Sequence, residues 1–149
     1  MNISFWYYVM LLLSLSFSNE RGAQQPRPLT HTGSVQVYYF YDSRLPTDVS
    51  NQTMFLTENL LAKQYQSQLD NGEVIFYKVD LASSTGQKIA AKCNIVLTGL
   101  VVARRNRIYD LTQNAYQYAR SDPQKFQENL AYHIDKLLPR KKKSSSGKS

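Results

Sequence analysis

Between residues 34 and 138 the chain alternates short runs of β-branched and aromatic residues with longer stretches in which apolar side chains recur every third or fourth position. The first run, residues 34–41 (SVQVYYFY), is apolar at odd and even positions alike, which suits a strand covered on both faces of a sheet. After the loop DSRLPTD, Asp48 or Ser50 caps a helix running to about Leu69, with Leu56, Leu60, Leu61, Tyr65 and Leu69 as its apolar stripe. The turn residues Asp70, Asn71 and Gly72 end it. A second strand is predicted over residues 73–81 (EVIFYKVDL) and a short helix over 84–92 (STGQKIAAK), capped by Ser84 or Thr85. Residues 95–103 read as a third strand, 104–107 as a basic turn, and 108–111 as a fourth strand brought back antiparallel by that turn. Ser121, Asp122 and Pro123 open a last helix, along which Phe126, Leu130, Ile134 and Leu137 recur at helical spacing.

The predicted order is β-α-β-α-β-β-α, an α/β three-layer sandwich with a mixed central sheet and helices on both faces. A body of this size supports one core, hence one domain over residues 34–138. The flanks have a different composition. Residues 1–18 carry an uncharged apolar run from Phe5 to Leu15 followed by the small residues Ser16 and Ser18, which predicts a secretory signal peptide cleaved after Ser18. The alternative is an uncleaved membrane anchor, although the run is shorter than the ~20 residues a spanning helix needs. Residues 19–33 read as a linker, and residues 139–149 (PRKKKSSSGKS) as a basic, disordered tail. The expected location is therefore the periplasm or the extracellular space.

The element order resembles that of thioredoxin-like domains. More specifically, the stretches VYYFYDSR, VIFYKVDL, KCNIVLTGLVVARRNRIYDLT and NAYQYARSDPQKFQENLAYHIDKLL resemble a bacterial thioredoxin-like family named as a subunit of a nitrophenyl-compound reductase and associated with arsenical resistance. The resemblance covers most of residues 35–138 and implies a redox domain with a Cys-x-x-Cys pair just after the first strand. There a helix N-terminus would lower a thiol pKa and expose a nucleophilic thiolate. In this chain the corresponding loop is Asp42, Ser43, Arg44, Leu45, Pro46, Thr47 and Asp48, with no thiol. Self-contained dithiol exchange is excluded, because a chain with one cysteine cannot form an intramolecular disulfide. The position where a thioredoxin carries its cis-proline falls at Thr98 and Gly99, so the substrate-clamping proline is missing as well.

Cys93 is the only thiol. Its functional reading is a sensor or a mixed-disulfide nucleophile beside Lys92; its plainer reading is a small buried hydrophobe at the end of the second helix, and the plainer reading is preferred. Only His31 and His133 are present, and there is no H-E-x-x-H, paired-cysteine set or Gly-rich phosphate loop, so neither a metal nor any other cofactor is implied. Catalytic residues are expected to be none. The net charge of +7 leans on Arg104, Arg105, Arg107 and the run Arg140 to Lys143, which suit solvated surface or weak contact with anionic surfaces rather than nucleic acid. Tyrosines are the remaining candidates. Tyr41, Tyr116, Tyr118 and Arg120 form the surface expected to bind an aromatic ligand or an extended peptide, set against core and rim packing of the same rings.

Two functions of different class follow. The first is an exported, redox-inactive binding or accessory module whose partner is an envelope protein or a small aromatic ligand. The second is a subunit of a thiol-dependent or nitroaromatic reductase system in which Cys93 acts with a partner's thiol. Exposure of Cys93 separates them.

Overall fold

In a computed structural model, residues 33–45 and 48–139 are described. The expected signal peptide (1–18), the linker up to residue 32, Pro46, Thr47 and the tail beyond Pro139 lie outside them. Strands β1 (Val35–Tyr41), β2 (Val74–Asp80), β3 (Gly99–Arg104) and β4 (Arg107–Asp110) form one sheet in the order β2-β1-β3-β4. β1 runs parallel to β2, with Val35 opposite Val74 and Tyr41 opposite Asp80, and antiparallel to β3, with Phe40 opposite Gly99. β4 returns antiparallel to β3. The helices are α1 (Asp48–Gln64), α2 (Gln66–Asp70), α3 (Ser84–Lys92), α4 (Thr112–Tyr118) and α5 (Pro123–Leu137). The chain is thus α/β with a mixed sheet.

The apolar character of β1 at every position has a direct cause, since alternate side chains of a strand point to opposite faces. Val35, Val37 and Tyr39 pack with Leu100 and Val102 beneath α1, α4 and α5, and the predicted stripe Phe126, Leu130, Ile134 and Leu137 closes that core. Tyr38 and Phe40 point the other way and join Tyr77, Val79, Val101, Ala103, Ile89, Ala90 and Cys93 under α3. Gly86 permits the close approach of α3 to β2, because a Cβ there would lie 1.9 Å from the Asp80 carbonyl oxygen.

Four expectations need correction. The helix over 48–69 is interrupted at Tyr65, whose φ of −123° and ψ of 17° separate α1 from α2. Its hydroxyl reaches across to α5, donating to Asp135 Oδ1 at 2.8 Å. The cap of α3 is Ser83, which accepts from the Gly86 N–H at 2.9 Å, rather than Ser84 or Thr85. β3 begins at Gly99 rather than at residue 95. Asn94 adopts φ 56° and forms a Schellman turn, in which the Ile95 N–H donates to the Ala90 carbonyl (2.9 Å) and the Asn94 N–H to that of Ala91 (3.2 Å). Those bonds draw Ile95 into the helix end. Finally, α4 adds a helix that the order β-α-β-α-β-β-α does not contain, over residues assigned to no element.

Candidate functional site

The C-terminal end of β1 gathers Tyr41, Arg44, Leu45, Thr98, Gly99 and Tyr116 from the residues that the sequence singles out. Beyond Tyr41, the loop is fixed by carboxylates. Asp80, at the end of β2, accepts from the Ser43 hydroxyl (2.8 Å), the Ser43 N–H (3.2 Å) and the Ala82 N–H (2.9 Å). The Ala82 amide and then the Ser43 hydroxyl hold the Asp80 pKa below its ordinary value. Asp42 accepts from Arg44 Nε (2.9 Å), Nη2 (2.7 Å) and backbone N–H (3.0 Å). The Arg44 side-chain bonds lower the Asp42 carboxyl to about 2. The first part of the loop where the resemblance implies a dithiol, residues 42–45, is therefore a salt-bridged, carboxylate-pinned turn, while Pro46, Thr47 and the Asp48 side chain lie outside the described residues.

β3 brings the proline-equivalent position to the same end, since Gly99 lies opposite Phe40. A Cβ on Gly99 would stand 2.5 Å from Thr112 Oγ1, and the Leu100 N–H donates to that same oxygen at 3.2 Å. Tyr116, on α4, donates its hydroxyl to the Thr98 carbonyl at 3.1 Å. Tyr41 and Tyr116 thus share this end of the sheet, but the other two expected binding residues are differently placed. Tyr118 is half-buried against the first core and carries Lys125 Nζ over its ring at 4.3 Å. Arg120 is exposed beyond α4.

An open cleft of about 380 Å³ lies on the α1 side of this end, lined by Tyr39, Tyr41, Ser43, Leu45, Asn51, Met54 and Lys78. Its floor is aromatic and its rim polar. Large apolar side chains are left in solvent at this end of the sheet: Val96 is 85 % exposed, Leu97 67 %, and Tyr116 and Leu45, which lines the cleft, 53 % each. They account for four of the seven exposed large hydrophobics among the described residues, so exposure is concentrated at this end. Sequence reasoning missed Val96 and Leu97, taken as strand, and the cleft residues Asn51, Met54 and Lys78. The pairing of Ser43 with Asp80 had a faint signal in two polar residues ending adjacent strands.

Cys93 lies elsewhere. It is the C-cap of α3, 6 % exposed, in the core on the opposite face of the sheet. Burial first, and then the Asp110 carboxylate, push its thiol up to about 11. Lys92 does not offset them. At neutral pH the group is a thiol, not a thiolate. Among the described residues no group of three or more His, Cys, Asp or Glu side chains is placed to hold a metal ion. His133 flanks α5 between Tyr109 and Tyr132, at ring-centroid distances of 4.9 and 5.1 Å. Neither a protein-family model nor a curated protein matches the sequence.

Proposed function

We propose that this chain is a thioredoxin-like module without redox chemistry that binds an extended, apolar or aromatic segment of an envelope partner across the C-terminal end of its sheet. The strand order β2-β1-β3-β4, with one parallel and two antiparallel pairs, supports the thioredoxin-like reading. The observation that carries the binding role is the exposure of Leu45, Val96, Leu97 and Tyr116 at the same end of the sheet as the Tyr39–Tyr41 cleft, which Leu45 lines. Apolar surface left in water at one place is stabilised when a partner covers it, at about 25 cal/mol per Å². Hydrogen bonds to the Asp42 and Asp80 carboxylates tie down Ser43 and Arg44 beside the cleft, which reduces the ordering that binding must impose there.

The competing reading, a single-thiol or nitroaromatic reductase subunit acting through Cys93, requires that thiol to ionise and reach a partner. Its burial, its raised pKa and its position across the sheet from the cleft all oppose this. Export, by signal peptide or by an N-terminal anchor, is part of the proposal and rests on the sequence. No helix among the described residues is long and apolar enough to cross a membrane.

The test is a photo-crosslinking side chain placed at Leu97, compared with one at Phe55, an exposed aromatic on α1. In cells producing the full chain, a discrete adduct is expected from Leu97, weakened by Tyr41→Ala and unchanged by Cys93→Ser. Equal adducts from both positions, or none at Leu97, would remove the binding role.

A further inference from the structure

Among the described residues the chain carries two sulfur atoms, in the Cys93 thiol and the Met54 thioether. Their surroundings are opposite. Cys93 is buried under α3 with its thiol pushed up, so a peroxide finds almost none of the thiolate it attacks. Met54 is half-buried on α1 and lines the open cleft together with Tyr39 and Tyr41. A thioether has no proton to lose before it reacts, so access to the sulfur governs its oxidation.

The neighbours of Met54 determine what oxidation does to the cleft. Asn51 precedes it by three residues and Glu58 follows it by four, so the three side chains share one face of α1. Lys78, on β2, pairs with Glu58 and lines the cleft with Asn51. Hydrogen-bond donors therefore flank the thioether along the helix, the Asn51 amide one turn before it and the Lys78 ammonium one turn after. A thioether sulfur is a weak acceptor and makes little use of them. A sulfoxide is polar, and its oxygen accepts from such donors. The reduced side chain therefore adds an apolar wall to the aromatic floor, and the oxidised one replaces that wall with a solvated dipole.

We infer that Met54 is an oxidation site at which hydroperoxides switch the cleft from an apolar to a polar state. The inference rests on the binding role proposed for the cleft and adds its regulation. In the step, a sulfur lone pair attacks one peroxide oxygen and the O–O bond breaks as the S–O bond forms. The departing hydroxide takes the proton from the oxygen now on sulfur and leaves as water. One thioether and one hydrogen peroxide thus give one sulfoxide and one water, with sulfur oxidised by the two electrons that reduce the peroxide. A methionine sulfoxide reductase reverses the change. The chain would then answer to oxidants at its binding surface without the dithiol that its loop lacks.

The experiment treats the purified full chain with hydrogen peroxide and takes two readouts. The first is peptide mass spectrometry of oxygen uptake at Met54 in native protein and in denaturant. The native rate is expected within about tenfold of the denatured one, because the sulfur faces an open cleft. The second is the fluorescence of anilinonaphthalene sulfonate, an aromatic probe, counted as the part of its binding that Tyr41→Ala abolishes. Oxidation is expected to weaken that part about tenfold, the cost of setting apolar surface against a polar group. Met54→Leu is expected to bind the probe as the untreated chain does and to keep it after peroxide, which also accounts for oxidation at Met1 and Met10. Treatment with a sulfoxide reductase is expected to restore binding in the parent chain. Protection of Met54 beyond about tenfold overturns the inference. Unchanged probe binding once Met54 is oxidised does so too, as does equal loss in Met54→Leu, and these two outcomes leave the cleft's binding role standing. Absence of Tyr41-dependent binding before peroxide is added removes that role itself, and the inference with it.

Discussion

The two faces of the sheet bury β1 by different means. Under α1 and α5, helices of 17 and 15 residues, the core is built on Phe126, Leu130, Ile134 and the leucines of α1. Under α3, a helix of only nine residues, the core holds the hydroxyls of Tyr38 and Tyr77, the Cys93 thiol and, at 2 % exposure, the Gln36 side chain. The Tyr38 hydroxyl donates to Gln36 Oε1 at 3.0 Å, while Gln36 Nε2 has no partner among the described residues. The lone thiol therefore belongs to a polar-seeded, thinly covered core, and the cleft belongs to the rim of the other face. A lone cysteine invites a functional reading, but here burial and the intervening sheet separate it from the surface proposed to bind.

The asymmetry of the faces predicts its own largest effect. Phe126→Ala removes a fully buried ring between the sheet and α5 and is expected to cost about 3–5 kcal/mol in denaturant unfolding. Ile89→Ala on α3 is expected nearer 2 kcal/mol, because a site under one short helix collapses more readily around the lost volume. Equal costs would dissolve the distinction between the faces.

Next comes Cys93. A thiol raised from an ordinary 9.0 to about 11 has roughly a hundredth of the thiolate at neutral pH, so maleimide labelling of the native protein should be at least ~100-fold slower than in denaturant. Stability should follow the same group. Because the folded pKa lies above the unfolded one, the folded state holds the proton more tightly, and the contribution present below pH 9 is lost as pH rises toward about 11. Rapid native labelling would place Cys93 among reactive thiols and sink the contrast. Smaller still, a double-mutant cycle over Gln36→Leu and Tyr38→Phe should give a coupling of about 1 kcal/mol. A coupling near zero would mean that the polar groups of this core are independent.

Much of this was legible in the sequence where large apolar residues set the period. β1, β2, the basic turn and the stripe of α5 emerge from pattern alone, because each buries bulky side chains at fixed spacing. α4 did not, since it faces the core with Ala115 and is followed by Ala119, small residues that leave no apolar stripe among polar neighbours. β3 was read too early for the opposite reason. Ile95, Val96 and Leu97 have strand-like composition, but the left-handed Asn94 turns the chain and sends Val96 and Leu97 into solvent. For the site, the absence of thiols was plain in the sequence, whereas the cleft depends on pairings between β1, β2 and α1 that no local pattern encodes.

The smallest effect separates the rim of the first face from its core. The Asp42 side chain is only 13 % exposed, but its Arg44 partner lies in solvent at 67 %, so Asp42→Asn should leave global unfolding close to the scatter expected of ion pairs with an exposed partner. The local consequence is different. Three bonds from Arg44 hold the Asp42 carboxyl at about 2, below the usual 3.8, so the ionised form is the one the folded loop favours. The stabilisation of the loop is therefore complete above about pH 4 and is lost as pH falls through about 2. Amide exchange at Arg44, whose N–H is bonded to that carboxylate, should accelerate over this window beyond the intrinsic pH dependence, while Phe126 in the core stays protected. In the Asp42→Asn protein the acceleration should be present at neutral pH and insensitive to acid. If Arg44 remained protected in that variant, the loop would be held by Asp80 and Ser43 alone, and the platform beside the cleft would owe nothing to the ion pair.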